Sequence, residues 1–165
     1  MPTFEDLLER LTDLHQDALN AIEGLPPEAL DWTPLKETND DMNSINILIT
    51  HFCGAERYWV GDIATGDPSN RKRESEFSVA ALTADKLTTK IQAATDYAQV
   101  ALQKLNLADL GVEKTQLRDG QGVTTGWALL HALEHTAIHV GHIQITRQMW
   151  AEKTTQETGK TGIRS

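Results

Sequence analysis

Apolar residues return at every third or fourth position in four stretches of this chain, the period of helices that bury one face. In the first stretch Phe4, Leu7, Leu8, Leu11, Leu14, Ala18, Leu19 and Ile22 share a face, Thr3 stands where an N-cap belongs, and Gly24 and Pro26 close the run. A second helix is predicted over residues 44–65, ending at Gly66. A third, over residues 83–106, turns Leu87, Ile91, Ala94, Ala98, Ala101 and Leu105 to one side. The fourth starts at Thr124 or Thr125 and runs to about Glu152. Ahead of it, Asp119-Gly120 predicts the turn of a short hairpin. The last residues, 153–165, are polar with no apolar face and are expected to form a mobile tail.

Four long helices and little else predict an all-α fold, a four-helix bundle forming a single domain over residues 1–152. The connections constrain its topology. Residues 66–82 reach up to about 56 Å when extended, enough to run the length of the bundle. That permits the second and fourth helices to be antiparallel, as an up-down-down-up arrangement requires and an up-down-up-down one forbids.

The fourth helix carries four of the six histidines of the chain, in WALLHALEHTAIHVGHIQITRQMW from Trp127 to Trp150. At about 100° per residue, His131, His135, His139 and His142 fall within an arc of roughly 80°. The remaining side chains of this segment are apolar on nearly every side, which predicts a largely buried helix. Buried imidazoles each need a hydrogen-bond partner or a metal, and a pair at i, i+4 can converge on one ion from successive turns. The second helix offers His51, whose height of about 21 Å from the helix end matches the height of about 20 Å of the His135–His139 midpoint from the start of the fourth, if the two run antiparallel. His51, His135 and His139 are therefore the candidate metal ligands. His131 and His142 flank them as a fourth ligand, a supporting group or a pocket wall, and His15 on the first helix reads as a hydrogen-bonded core residue.

Gly54 interrupts the second helix one turn after His51, at a cost of roughly 1 kcal/mol against alanine. Either Gly54 and Ala55 leave open volume beside His51, with Tyr58 at the far wall, or they permit a close helix crossing. Cys53 lies about 200° around the helix from His51 and reads as a small buried apolar group.

Several site types are excluded by pattern. Thr136 follows His135 where a helical metalloprotease needs Glu. No Glu-x-x-His pair exists for a di-iron carboxylate bundle, and haem held by two histidines would strand the third imidazole. A net charge of −9 argues against nucleic acid, with the one basic run, Arg71-Lys72-Arg73, read as solvated loop. One cysteine excludes an internal disulfide. No apolar stretch approaches the length of about 20 residues needed to span a bilayer, and the acidic, amphipathic N-terminal segment is unlike a signal peptide, so the expected location is the cytoplasm.

Taken together, LDWTP (Leu30 to Pro34), NSINILITHFCGAERYW around His51 and LLHALEHTAIHVGHI around His135 and His139 resemble the DinB-like, YfiT-like family of metal-dependent four-helix proteins over nearly the whole chain. The resemblance implies a bundle with a long connection between helices two and three, and one divalent ion, commonly nickel or zinc, on His51, His135 and His139. His142 stands where the family usually has glutamine, and Glu134 where it often has asparagine. Members include transferases and isomerases that use bacillithiol, mycothiol or glutathione.

The expected function is thus that of a metal-dependent enzyme activating a low-molecular-weight thiol or water, with His131, His142, Tyr58 and Glu134 as candidates for proton handling. The alternative is a metal-binding or stress-response module without turnover. Expected partners are a small-molecule substrate or thiol, with neither nucleic acid nor membrane. Apolar surface on the fourth helix, with Trp59, Trp127 and Trp150 at or near helix ends, predicts a homodimer.

Overall fold

The computed structural model describes residues 3–34, 42–116 and 120–161. Helix α1, Phe4–Ile22, starts at a reciprocal cap in which Thr3 Oγ1 accepts from Asp6 N (3.1 Å) while the Asp6 carboxylate accepts from Thr3 N (2.6 Å). A short α2, Pro27–Asp31, follows a left-handed turn at Gly24. Helix α3, Ile45–Glu56, is capped by Ser44 and widens without a break into a π-helical segment, Arg57–Thr65, closed by Gly66 in the left-handed conformation. The chain then runs through one turn of helix, α4 (Arg73–Glu76), to α5 (Ala84–Leu102), which is capped by Thr83. A 3-10 turn, Leu107–Gly111, leads to strands β1 (Glu113–Thr115) and β2 (Gly122–Thr124), antiparallel with Glu113 opposite Thr124. The expected hairpin therefore forms; of its turn residues, Asp119 lies outside the described residues and Gly120 has φ +72°. Helix α6 spans Thr125–Thr161, nine residues beyond the end expected at Glu152.

Two apolar layers set the helix directions. One joins Ala18 and Ile22 from the end of α1 to Ile45, Leu48, Ile49 and Phe52 from the start of α3, Leu87 and Ile91 from the start of α5, and Val140 and Ile143 from far along α6. The other joins Phe4, Leu7 and Leu8 from the start of α1 to Trp59, Val60 and Ile63 after α3, Ala101 and Leu102 at the end of α5, and Ala128, Leu129 and Ala132 from the start of α6. Helices α3 and α5 thus run parallel to each other and antiparallel to α1 and α6. The bundle is up-down-down-up, and the connection between α3 and α5 returns along its length as expected.

A buried polar seam lies between the layers. His15 Nε2 is 2.8 Å from Glu56 Oε2, His15 Nδ1 is 2.8 Å from Thr95 Oγ1, and Thr136 Oγ1 donates to Glu56 Oε2 (3.3 Å). His15 is thus the hydrogen-bonded core residue that the sequence predicts. Helix α6 corrects another expectation, because it is not largely buried. Leu130, Ile138, Ile145 and Met149 are exposed, at 67%, 50%, 51% and 36% of their surface. No described helix is long and apolar enough to cross a membrane.

Candidate metal centre and its cleft

Antiparallel packing of α3 and α6 brings His51 against His135 and His139, with ring centroids 5.0 and 5.1 Å away. One ligand atom from each of the three lies within 4.8 Å of the other two, the one such group of histidine, cysteine and carboxylate side chains among the described residues. His135 Nε2 and His139 Nε2 are 3.3 Å apart. Two nitrogens each about 2.0–2.1 Å from a tetrahedral ion stand about 3.3 Å from one another, so this spacing suits a shared ion. Both Nδ1 atoms are buried without a hydrogen-bond partner among the described residues. Burial, and then the charge of neighbouring imidazoles, holds His135 down to about 3 and His139 down to about 4, so both are neutral at physiological pH, the form that binds metal.

His51 is held from behind by residues that periodicity could not reveal. Its Nδ1 lies 2.8 Å from Glu76 Oε2. Arg71 donates to both carboxylate oxygens, Nε to Oε1 (2.6 Å) and Nη2 to Oε2 (2.7 Å). Burial alone would raise the Glu76 carboxyl, but the hydrogen bonds from Arg71 and His51 outweigh it and hold the group below its ordinary range. Arg71, expected to be solvated, is instead 14% exposed in this ion pair. Phe77 closes the arrangement with its ring 4.8 Å from that of His51.

Gly54 is explained by the same carboxylate. A Cβ built there would overlap Glu76 Oε1 and stand 2.9 Å from Glu76 Cδ and 3.3 Å from Arg71 Nε. Of the two readings of this glycine, open volume beside His51 is corrected: Gly54 faces the α3–α5 side, and the close approach it permits is that of an α4 side chain. Ala55 and Tyr58 do border the space in front of His51.

That space is a cleft of about 540 Å³ onto which His51 and His135 open. One wall is aromatic, made by Tyr58, Trp59 and His131: the His131 ring meets Trp59 edge-on at 4.7 Å and stacks on Trp127, outside the cleft lining, with centroids 4.9 Å apart. The facing wall comes from the crossover connection and includes Asn70, Arg71 and Arg73. Of the other candidates, His142 is exposed, its ring 5.5 Å from that of His139 and outside the ligand group. Glu134 lies on the surface, 3.7 Å from His131 Nδ1. Cys53 faces away from the cleft, its thiol pushed well above the ordinary range by burial.

An up-down-down-up bundle with three convergent histidines beside an open cleft is the class of protein defined by this fold and site. The profile of the family described as mycothiol S-transferase matches residues 6–151, and the chain belongs to that family. The fold recurs in a conserved protein from Enterococcus faecalis (TM-score 0.70, 14% identity, covering 90% of this chain and 97% of that one). It recurs also in an uncharacterised protein from Clostridium difficile 630 (TM-score 0.63, 12% identity, covering 92% and 97%). A third likeness is a protein from Streptococcus pneumoniae (TM-score 0.62, 11% identity, covering 92% of each chain). No curated protein matches the sequence.

Proposed function

We propose that this chain is a metal-dependent thiol transferase of the cytoplasm, with one divalent ion, zinc or nickel, on His51, His135 and His139. The observation that carries this reading is the donor set: three imidazoles at ligand spacing beside an open cleft, in a chain of the mycothiol S-transferase family. A fourth protein ligand would mark a closed structural site, whereas three with a vacancy are the catalytic arrangement. When bound, the ion lowers the pKa of a coordinated thiol and supplies thiolate at neutral pH. His131, on the cleft wall and braced by Trp127, accepts the S–H proton. The aromatic wall of Tyr58 and Trp59 receives the apolar part of the electrophilic acceptor, while Asn70 and Arg73 face the polar part of the thiol. Mycothiol is the first candidate thiol, ahead of bacillithiol and glutathione.

Purified without chelator, the protein should carry close to one divalent ion per chain. His135→Ala and His139→Ala should each lose most of it, and full occupancy in both variants would sink the ligand assignment. With cobalt in the site, addition of the cognate thiol should change the absorption spectrum, because a thiolate enters the first coordination sphere. Spectra unchanged by mycothiol, bacillithiol and glutathione alike would refute thiol transfer and leave activation of water as the better account.

The exposed apolar face of α6 supports a homodimer. Leu130, Ile138, Ile145 and Met149 lie within about 100° of one another around the helix, beside the histidine stripe. Light scattering at micromolar concentration should give twice the mass of one chain, and Ile138→Lys together with Ile145→Lys should give a monomer. A wild-type monomer contradicts this assembly.

A further inference from the structure

We propose that Glu76, gripped by Arg71 and admitted by the missing side chain of Gly54, is the positioning residue that makes His51 a ligand through Nε2. Metal affinity is thereby coupled to docking of the crossover connection. The inference rests on the three-histidine reading of the site and adds to it the group that orients one ligand.

The argument is one of donors and acceptors. Glu76 Oε2 lies 2.8 Å from His51 Nδ1, and its carboxylate is fixed by two hydrogen bonds from Arg71. An ionised carboxylate only accepts, so the proton of a neutral His51 must sit on Nδ1. That leaves the lone pair on Nε2 and makes the nitrogen more basic. A neutral imidazole in water has no such fixed tautomer, and it rotates. Here Phe77 packs against the ring while Glu76 holds its far nitrogen, which leaves the ring one orientation. His135 and His139 have no comparable brace, since their Nδ1 atoms are without partners among the described residues.

Both gripping residues come from the connection between α3 and α5, 20 and 25 positions beyond His51 in the chain. Their present seat on α3 uses the space left at Gly54, because a Cβ there would overlap Glu76 Oε1 and force the carboxylate to shift. The segment that returns the chain along the bundle is therefore also the segment that primes the site. If it lifts away, His51 loses its tautomeric bias and its orientation together.

Nitrogen-15 NMR of the metal-free wild-type protein, recorded at a pH high enough that the His51 ring is neutral, tests the tautomer directly, with the Nδ1–H form expected and Nε2 unprotonated. Cobalt(II) titration then tests the coupling. Glu76→Ala should weaken cobalt binding by about 10–100-fold, the usual effect of removing a carboxylate behind a ligating histidine. Glu76→Gln, whose amide oxygen can still accept from Nδ1–H, should recover part of that loss. Gly54→Ala should weaken binding in the same direction with all three histidines present. An Nε2–H tautomer in the wild-type protein, or wild-type cobalt affinity in Glu76→Ala, overturns the inference while the three-histidine centre stands. Failure of the wild-type protein to bind cobalt overturns both. Thermal unfolding of each metal-free variant separates loss of the site from loss of the fold, and Glu76→Gln, isosteric with the native residue, keeps the test valid if Glu76→Ala does not fold.

Discussion

Glu56→Ala is expected to cost the fold about 3 kcal/mol or more, since it leaves buried polar groups without their partner and opens a cavity. Glu56 and His15 are each 2% exposed and meet at 2.8 Å in the seam between the two apolar layers. Thr95 Oγ1 donates to the Ile91 carbonyl (3.1 Å), so it accepts from His15 Nδ1–H. Removing the carboxylate strands His15 Nε2 and the Thr136 hydroxyl, and opens a cavity at the junction of α1, α3 and α6. Replacing both partners, as His15→Leu with Glu56→Leu, should cost much less, because no buried polar group of the pair is then left alone. Urea unfolding checks both, and a single-variant loss below about 1 kcal/mol, or a double variant no better than the single, would contradict this account. Cobalt uptake should survive in the double variant, since neither residue belongs to the ligand group.

Much of this architecture was legible because helical periodicity is a local signal that the bundle respects. Thr3, Ser44 and Thr83 begin their helices with caps, and the apolar faces of α1 and α5 are those that the three- and four-residue spacing marks out. The gathering of His51 with His135 and His139 was legible for a related reason. Two ligands one turn apart define a height along one helix, and only an antiparallel partner puts His51 at that height. The long connection follows from that geometry and not from any motif within it.

The remainder was hidden because it depends on contacts between elements that have no periodicity. Arg71 and Glu76 sit in a polar connection where a basic run followed by acids reads as solvent-exposed, and only the return of the chain across α3 buries them. Gly54 advertised a close approach, yet the sequence could not say that its neighbour is a carboxylate from α4. The widening of α3 into a π-helix at Arg57 also carries no local mark. It coincides with Arg57 reaching the Asp67 carbonyl (2.9 Å) and lying over the Tyr97 ring (3.9 Å). Finally, α6 is apolar around most of its circumference, which looks like full burial until the bundle proves to have neighbours for only part of that surface.

The metal-free protein is expected to lose stability steadily as pH falls from about 6.5 toward 4. His135 and His139 titrate near 6.5 in the unfolded chain but are held to about 3 and about 4 in the native one. In the interval the unfolded state binds protons that the native state refuses, so acid favours unfolding. Each imidazole contributes at most about 1.4 kcal/mol per pH unit, and solvent at the cleft mouth keeps the figure below that ceiling. Glu76, lowered in the native state, acts in the same direction at more acidic pH, its contribution being complete above its unfolded value of 4.5 and lost as pH falls through its native one. Added zinc should raise stability at neutral pH and steepen the acid loss, because ligand nitrogens must shed protons before they bind. Urea midpoints between pH 7.5 and 4.5, with chelator and then with zinc, give the two curves, and His135→Gln with His139→Gln should flatten both. A flat chelator curve, or a slope that survives the double replacement, would mean that these two imidazoles are not the buried neutral pair described above.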